Sequence, residues 1–242
     1  MTRSPSPTRV LFVLAVLCLP LVAPTGALAL TVGQIDAFTT GNDGWMNNGG
    51  TATHQATDGA DGPADGYVEM TTTGNGQGSG SRLVVNGSDD WLGNYLSTGV
   101  TQIAMDANNF SAGDVYLRLA FRSAGDNTVF VTNEVVLAPA SDWTGVVFDL
   151  SESNMAVSGV SYADTFSAVQ QLRVIHRYDP SVANGGPPDA GDAVLGDLGS
   201  PIVARVGIDN VRALGVPEPS TAALVLLACC SCSRPGRSRP RF

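Results

Sequence analysis

The eight residues Val115-Tyr116-Leu117-Arg118-Leu119-Ala120-Phe121-Arg122 alternate, with Val115, Leu117, Leu119 and Phe121 on one face and Tyr116, Arg118 and Arg122 on the other. A period of two is that of a β-strand with one buried face. Similar patterns recur at 34–38, 67–72, 82–85, 102–107, 129–137, 145–150, 172–178 and 204–214. No window of a dozen residues shows a helical period, and no repeat suggests a solenoid or propeller. Loops rich in Gly, Asp and Asn separate the runs, the longest at 58–66, 74–80 and 179–199. Short alternating strands joined in this way predict an all-β fold, an antiparallel β-sandwich of jelly-roll type.

Composition narrows what such a sandwich can do. The 242-residue chain has a net charge of −9, but six of its 13 basic residues lie at the two ends. Residues 30–216 hold 21 Asp and Glu against seven Arg, a balance of −14 that excludes nucleic acid as a partner. Lys is absent throughout. All four cysteines, Cys18, Cys229, Cys230 and Cys232, fall in terminal apolar segments. The central region therefore has no disulfide, thiolate-bound zinc or thiol nucleophile, and must hold together by its core.

Both ends read as addresses. Residues 1–29 begin with Arg3 and Arg9, continue through an apolar run at 10–22 that would form a signal helix, and end on Ala27-Leu28-Ala29. That is the order of a secretory signal peptide cut after Ala29. Thirteen helical residues reach only about 20 Å, short of the roughly 30 Å of a bilayer core. Residues 217–242 carry Pro217-Glu218-Pro219, a short apolar run and an Arg-rich tail containing Arg234, Arg237, Arg239 and Arg241. This order resembles the PEP-CTERM sorting signal of exported bacterial proteins. The resemblance implies recognition by an exosortase near Pro217, Glu218 and Pro219, transient membrane contact, and delivery to the envelope surface or outside the cell.

The central region, expected to be one domain over 30–216, resembles galactose-binding-like jelly rolls, and among them the laminin-B group. The resemblance rests on Phe38 followed by Gly41-Asn42-Asp43-Gly44-Trp45, on Trp91-Leu92-Gly93-Asn94-Tyr95, on Asn133-Glu134-Val135-Val136-Leu137 and on Ile208-Asp209-Asn210-Val211. It implies a structural calcium between the first and last strands, carried here by Asp36 and Asp209 with loop carbonyls near 40–43. Oxygen donors are plentiful and soft ligands lacking, which suits that ion. The resemblance also brings glycan binding by aromatic rings, for which Trp45, Trp91, Tyr95, Tyr116 and Trp143 are the candidates, with Arg118 and Arg122 for acidic sugars. Related folds commonly bury an aromatic at the positions of Trp45, Trp91 and Trp143.

Enzyme motifs are missing where sequence can test them. Residues 74–80 are glycine-rich but do not fit a nucleotide loop, and neither a G-x-S-x-G elbow nor an H-E-x-x-H motif occurs. His54 and His176 have no local ligand spacing. The sequence thus reads as a non-enzymatic surface or matrix protein. The alternatives are a carbohydrate-binding module for envelope or extracellular polysaccharide and, further off, a secreted hydrolase with a site assembled from loops.

Overall fold

The computed structural model describes residues 30–47, 51–74, 80–123, 129–157, 161–178 and 199–215. The proposed signal peptide and the Pro217-Glu218-Pro219 sorting segment lie outside the described residues. Thirteen strands follow in chain order: β1 (Ile35–Asp36), β2 (Met46–Asn47), β3 (Thr51–Gln55), β4 (Tyr67–Thr73), β5 (Val84–Asn86), β6 (Val100–Asn109) and β7 (Val115–Ser123). The remainder are β8 (Val129–Thr132), β9 (Val135–Leu137), β10 (Thr144–Asp149), β11 (Met155–Val157), β12 (Val169–His176) and β13 (Val203–Gly215). Two single-turn helices, α1 (Tyr95–Thr98) and α2 (Tyr162–Phe166), sit between them.

The strands form two antiparallel sheets, as the alternation predicts. Sheet A runs β10-β6-β13-β4-β3, with β1 added along β13; sheet B runs β11-β8-β7-β12-β5-β2, with β9 added along β7. The β7–β12 register sets Leu119 opposite Val174 and Phe121 opposite Leu172, so the apolar parity of both strands faces inward. Across from them, sheet A contributes Val68, Met70, Ile103, Met105, Val206 and Ile208 to the same buried core. Fully burying a side chain of this size stabilises by about 1.5–3 kcal/mol. The sandwich needs no covalent staple.

The expected strand run at 129–137 is divided. It breaks at Asn133-Glu134, where the Asn133 backbone N–H donates to the Asn154 carbonyl and Glu134 turns its carboxylate to Arg118. Strand β3, Thr-Ala-Thr-His-Gln, has no apolar alternation and pairs on one side only, along β4, which is where a polar strand can sit. Neither helix is long enough to show a period. Each is instead fixed by its cap: Asn94 Oδ1 accepts from the Ser97 N–H, and Ser161 Oγ accepts from the Asp164 N–H.

Candidate functional site

Three of the aromatics expected to meet a sugar are inside the protein. Trp45 and Trp91 are fully buried and Tyr95 is 1% exposed. The two indoles lie edge to face at 6.0 Å, and both Nε1–H groups donate to Asp36 Oδ2 at 2.6 Å. Tyr95 donates its hydroxyl to the Trp91 carbonyl, and burial pushes its phenol far above the ordinary range. An exposed platform built from Trp45, Trp91 and Tyr95 therefore does not form. Trp45 on the turn leading to β2 and Trp91 on the short turn at 89–91 converge on Asp36 of β1, whose half-buried carboxylate satisfies both indole donors at once.

The same bonds set the environment of Asp36. Asp36 is committed to the two indoles, and its pKa is raised by burial against the lowering of those bonds, with Asp43 and Asp90 adding to the rise. Asp209, on β13 near the Val211 position that β1 pairs with Asp36, has its own donors: its Oδ2 accepts from the Ala60 N–H and its Oδ1 from the Asn210 N–H. A bulge in β13 between Asp209 and Arg212, with Asn210 at φ +49°, turns it there. Its carboxyl also hydrogen-bonds Asp65, and its pKa is pushed up to about 7, by burial first. Asp36 and Asp209 are thus each held by protein donors, Asp36 by the two indoles and Asp209 by the Ala60 and Asn210 backbone N–H groups. Among the described residues no three His, Cys, Asp or Glu side chains gather as a metal site would need.

Tyr116 has a different fate. It lies on the outer face of sheet B, half-buried, opposite Val136 in the β7–β9 ladder. Its ring packs against Tyr178 with centroids 4.7 Å apart; Tyr178 is 51% exposed and Val136 50%. Desolvation first, then the acidic groups of Asp114, Tyr178 and Glu134, hold the Tyr116 phenol above its usual range. Behind the pair, His176 Nδ1 accepts the Tyr116 backbone N–H at 3.0 Å. Burial, aided by the Arg118 charge, lowers the His176 pKa to about 4, so the ring is neutral at neutral pH. The Nδ1 acceptor places its proton on Nε2.

Arg118 stands beside this pair, but as a tie and not a contact for acidic sugar. Its guanidinium is fully buried; Nε donates to the Arg177 carbonyl, Nη1 to the Thr132 carbonyl and Nη2 to Glu134 Oε2 at 2.7 Å. The fork geometry of arginine fills three acceptors, from β8, from the break before β9 and from the residue after β12, and fixes the floor under Tyr116. Arg122 shares this outer parity, and Arg173 joins it opposite Ala120. Beneath them Val84, Ala120, Val131 and Ile175 make a second, smaller buried apolar cluster.

The outer face of sheet A holds a group that sequence reasoning only touched at Trp143. Tyr67, Phe110 and Trp143 pack edge to face or tilted, with centroids 5.1–6.3 Å apart. They close over Gly207, where a Cβ would stand 2.7 Å from the Trp143 ring and 3.0 Å from Tyr67. Arg205 lies over Phe110 at 4.7 Å and pairs with Glu69, which also accepts from the Tyr67 hydroxyl. The available signal was the register: once β13 pairs with β4, Glu69 faces Gly207 and Thr71 faces Arg205. His54 Nε2 meets the Phe38 carbonyl at 2.7 Å, and neither imidazole bonds a carboxylate or serine among the described residues.

No family profile matches the chain, and no curated protein matches it. Solved structures do. An exo-β-agarase superposes with a TM-score of 0.51 at 9% identity, over 77% of this chain and 25% of the agarase, so this chain spans a quarter of that enzyme's length. A family 11 carbohydrate-binding module from Clostridium thermocellum, in complex with a β-1,3-1,4-mixed-linked tetrasaccharide, gives 0.45 at 14% identity, over 77% of this chain and 98% of the module. The CBM22-1-CBM22-2 tandem domain of Paenibacillus barcinonensis Xyn10C gives 0.44 at 15%, over 80% and 49%. At such identities the likeness is one of fold, and the chain is an antiparallel jelly-roll β-sandwich.

Proposed function

We propose that this chain is a non-catalytic, exported β-sandwich that binds polysaccharide through the Tyr116–Tyr178 face. The observation that carries the reading is the pair itself, two tyrosine rings at 4.7 Å with Tyr178 half-exposed, beside exposed Val136. Sugar rings present apolar C–H faces that stack on aromatic surfaces, while their hydroxyls need acceptors at the edge. Asp114, exposed just before β7, brings a carboxylate to the edge of this face. The buried Arg118 tie and the His176 bond to the Tyr116 backbone hold the platform in place, so binding pays little to order it. Export by the signal peptide and sorting through Pro217, Glu218 and Pro219 belong to the same proposal and rest on the sequence alone. A purely structural role in the matrix is the less favoured reading, since it gives no use to an exposed tyrosine pair.

Two polysaccharides are suitable probes, mixed-linked β-glucan and agarose, because one protein of similar fold is complexed with a mixed-linked tetrasaccharide and another is an exo-β-agarase. Binding of the full chain to either, measured by affinity electrophoresis, is expected to weaken at least tenfold in Tyr116→Ala/Tyr178→Ala. Equal retardation of the unaltered chain and the double variant would remove the platform.

A further inference from the structure

We propose a second polysaccharide subsite on the outer face of sheet A, so that one molecule holds two glycan strands and cross-links them. The ligand class rests on the reading above; the residues and the test are separate. A recess of about 440 Å³ opens between β4, β13 and the turn after β6, walled by Thr71, Ser111, Ala112, Val203 and Arg205. That is within the usual size of small-ligand clefts, about 300–1,000 Å³. Its walls combine the two chemistries a sugar presents. Val203, 72% exposed, and Ala112 offer apolar surface, while Thr71 adds a hydroxyl and Arg205 a planar donor.

Arg205 is held for such a task. Nε and Nη2 bond Glu69 Oε2 at 2.8 and 2.7 Å, and the Phe110 ring lies 4.7 Å beneath the guanidinium. Its Nη1 donors take part in neither bond, and the side chain is 53% exposed. The exposed edge of the guanidinium donates to one sugar hydroxyl, and the Thr71 hydroxyl in the wall accepts from its neighbour. Because the Arg205–Glu69 pair is neutral as a unit, the subsite selects uncharged sugar over uronate. From Arg205 the half-buried rings of Phe110 and Trp143, backed by buried Tyr67, continue along β13 toward Gly207 as an apolar shelf for the adjoining sugar.

The outer faces of two packed sheets point in opposite directions, so a single glycan strand does not reach both subsites. Two strands are bridged instead. Calorimetry with the β-1,3-1,4-mixed-linked tetrasaccharide should give two sites per unaltered chain. Val203→Arg, which fills the recess from an exposed position, and Arg205→Gln should each leave one. Tyr116→Ala/Tyr178→Ala should also leave one. The viscosity rise of mixed-linked β-glucan on adding protein should fall at least fivefold in all of these variants. One site per chain that the tyrosine variant abolishes, with Val203→Arg and Arg205→Gln unchanged, overturns this subsite and leaves the platform. One site that Val203→Arg and Arg205→Gln abolish but the tyrosine variant keeps leaves the recess as a subsite and overturns both the platform and the cross-linking. No binding to mixed-linked glucan or agaro-oligosaccharide overturns both.

Discussion

Asp36 shows how one carboxylate can decide the fate of two tryptophans. Its Oδ2 takes both indole N–H bonds, and the Trp45 ring packs edge to face on Phe38 and on Trp91, each at 6.0 Å. Removing the acceptor leaves two buried donors without a partner, each costing about 1–3 kcal/mol. Asp36→Ala is therefore expected to lose about 3 kcal/mol in urea denaturation. Asp36→Asn, which keeps an acceptor oxygen, should lose less than half of that. Equal losses in the two variants would show that packing and not the indole bonds governs the site. In the sequence, Asp36, Trp45 and Trp91 carry no mark of this union, since the residues are up to 55 positions apart. Burial and the acceptor become legible together only when β1 lies beside β13.

At the scale of elements, the loop at 58–66 is clasped to β13. The Ala60 N–H donates to Asp209, the Asp61 N–H donates to Asp65, and the two carboxyls hydrogen-bond each other. With the Asp209 pKa pushed up to about 7 from the ordinary 3.8, the folded protein holds a proton that the unfolded chain releases. Stability from this clasp is accordingly complete below about pH 4 and is lost as pH rises through 7. Asp65→Asn supplies an amide donor in place of the proton. It should flatten this slope and raise the melting midpoint at pH 8 by about 3 °C, measured in chelator so that titration alone is read. A slope between pH 4 and 8 unchanged by the substitution would refute the shared proton. The strands were legible because alternation is local: β4, β6, β7, β10, β12 and β13 all fall on runs with period two. Strand β3 and the break between β8 and β9 were not, because a polar edge strand and a turned glutamate owe their conformation to partners distant in sequence.

For the whole molecule, the described residues form a sandwich, and the roles proposed for the two ends rest on sequence alone. Removing residues 217–242 should shift the protein from the cell-surface fraction into the medium, measured by fractionation and immunoblot. An unchanged distribution would end the sorting role of Pro217-Glu218-Pro219. By itself the sequence determined the all-β class, the antiparallel sandwich, the acidic and cysteine-free character of its central region and the expectation of export. Each follows from composition or from a period of two, and neither depends on which strands become neighbours. The tertiary structure alone decided which aromatics meet solvent. Trp45, Trp91 and Tyr95 went inside with Asp36, Arg118 became a buried tie, and Tyr116 found Tyr178 on the surface. It also gathered Glu69, Arg205, Phe110 and Trp143 on one face. The reason is physical: alternation fixes which residues share a side of a strand, but only strand order and register fix which side faces the core and which strands lie alongside.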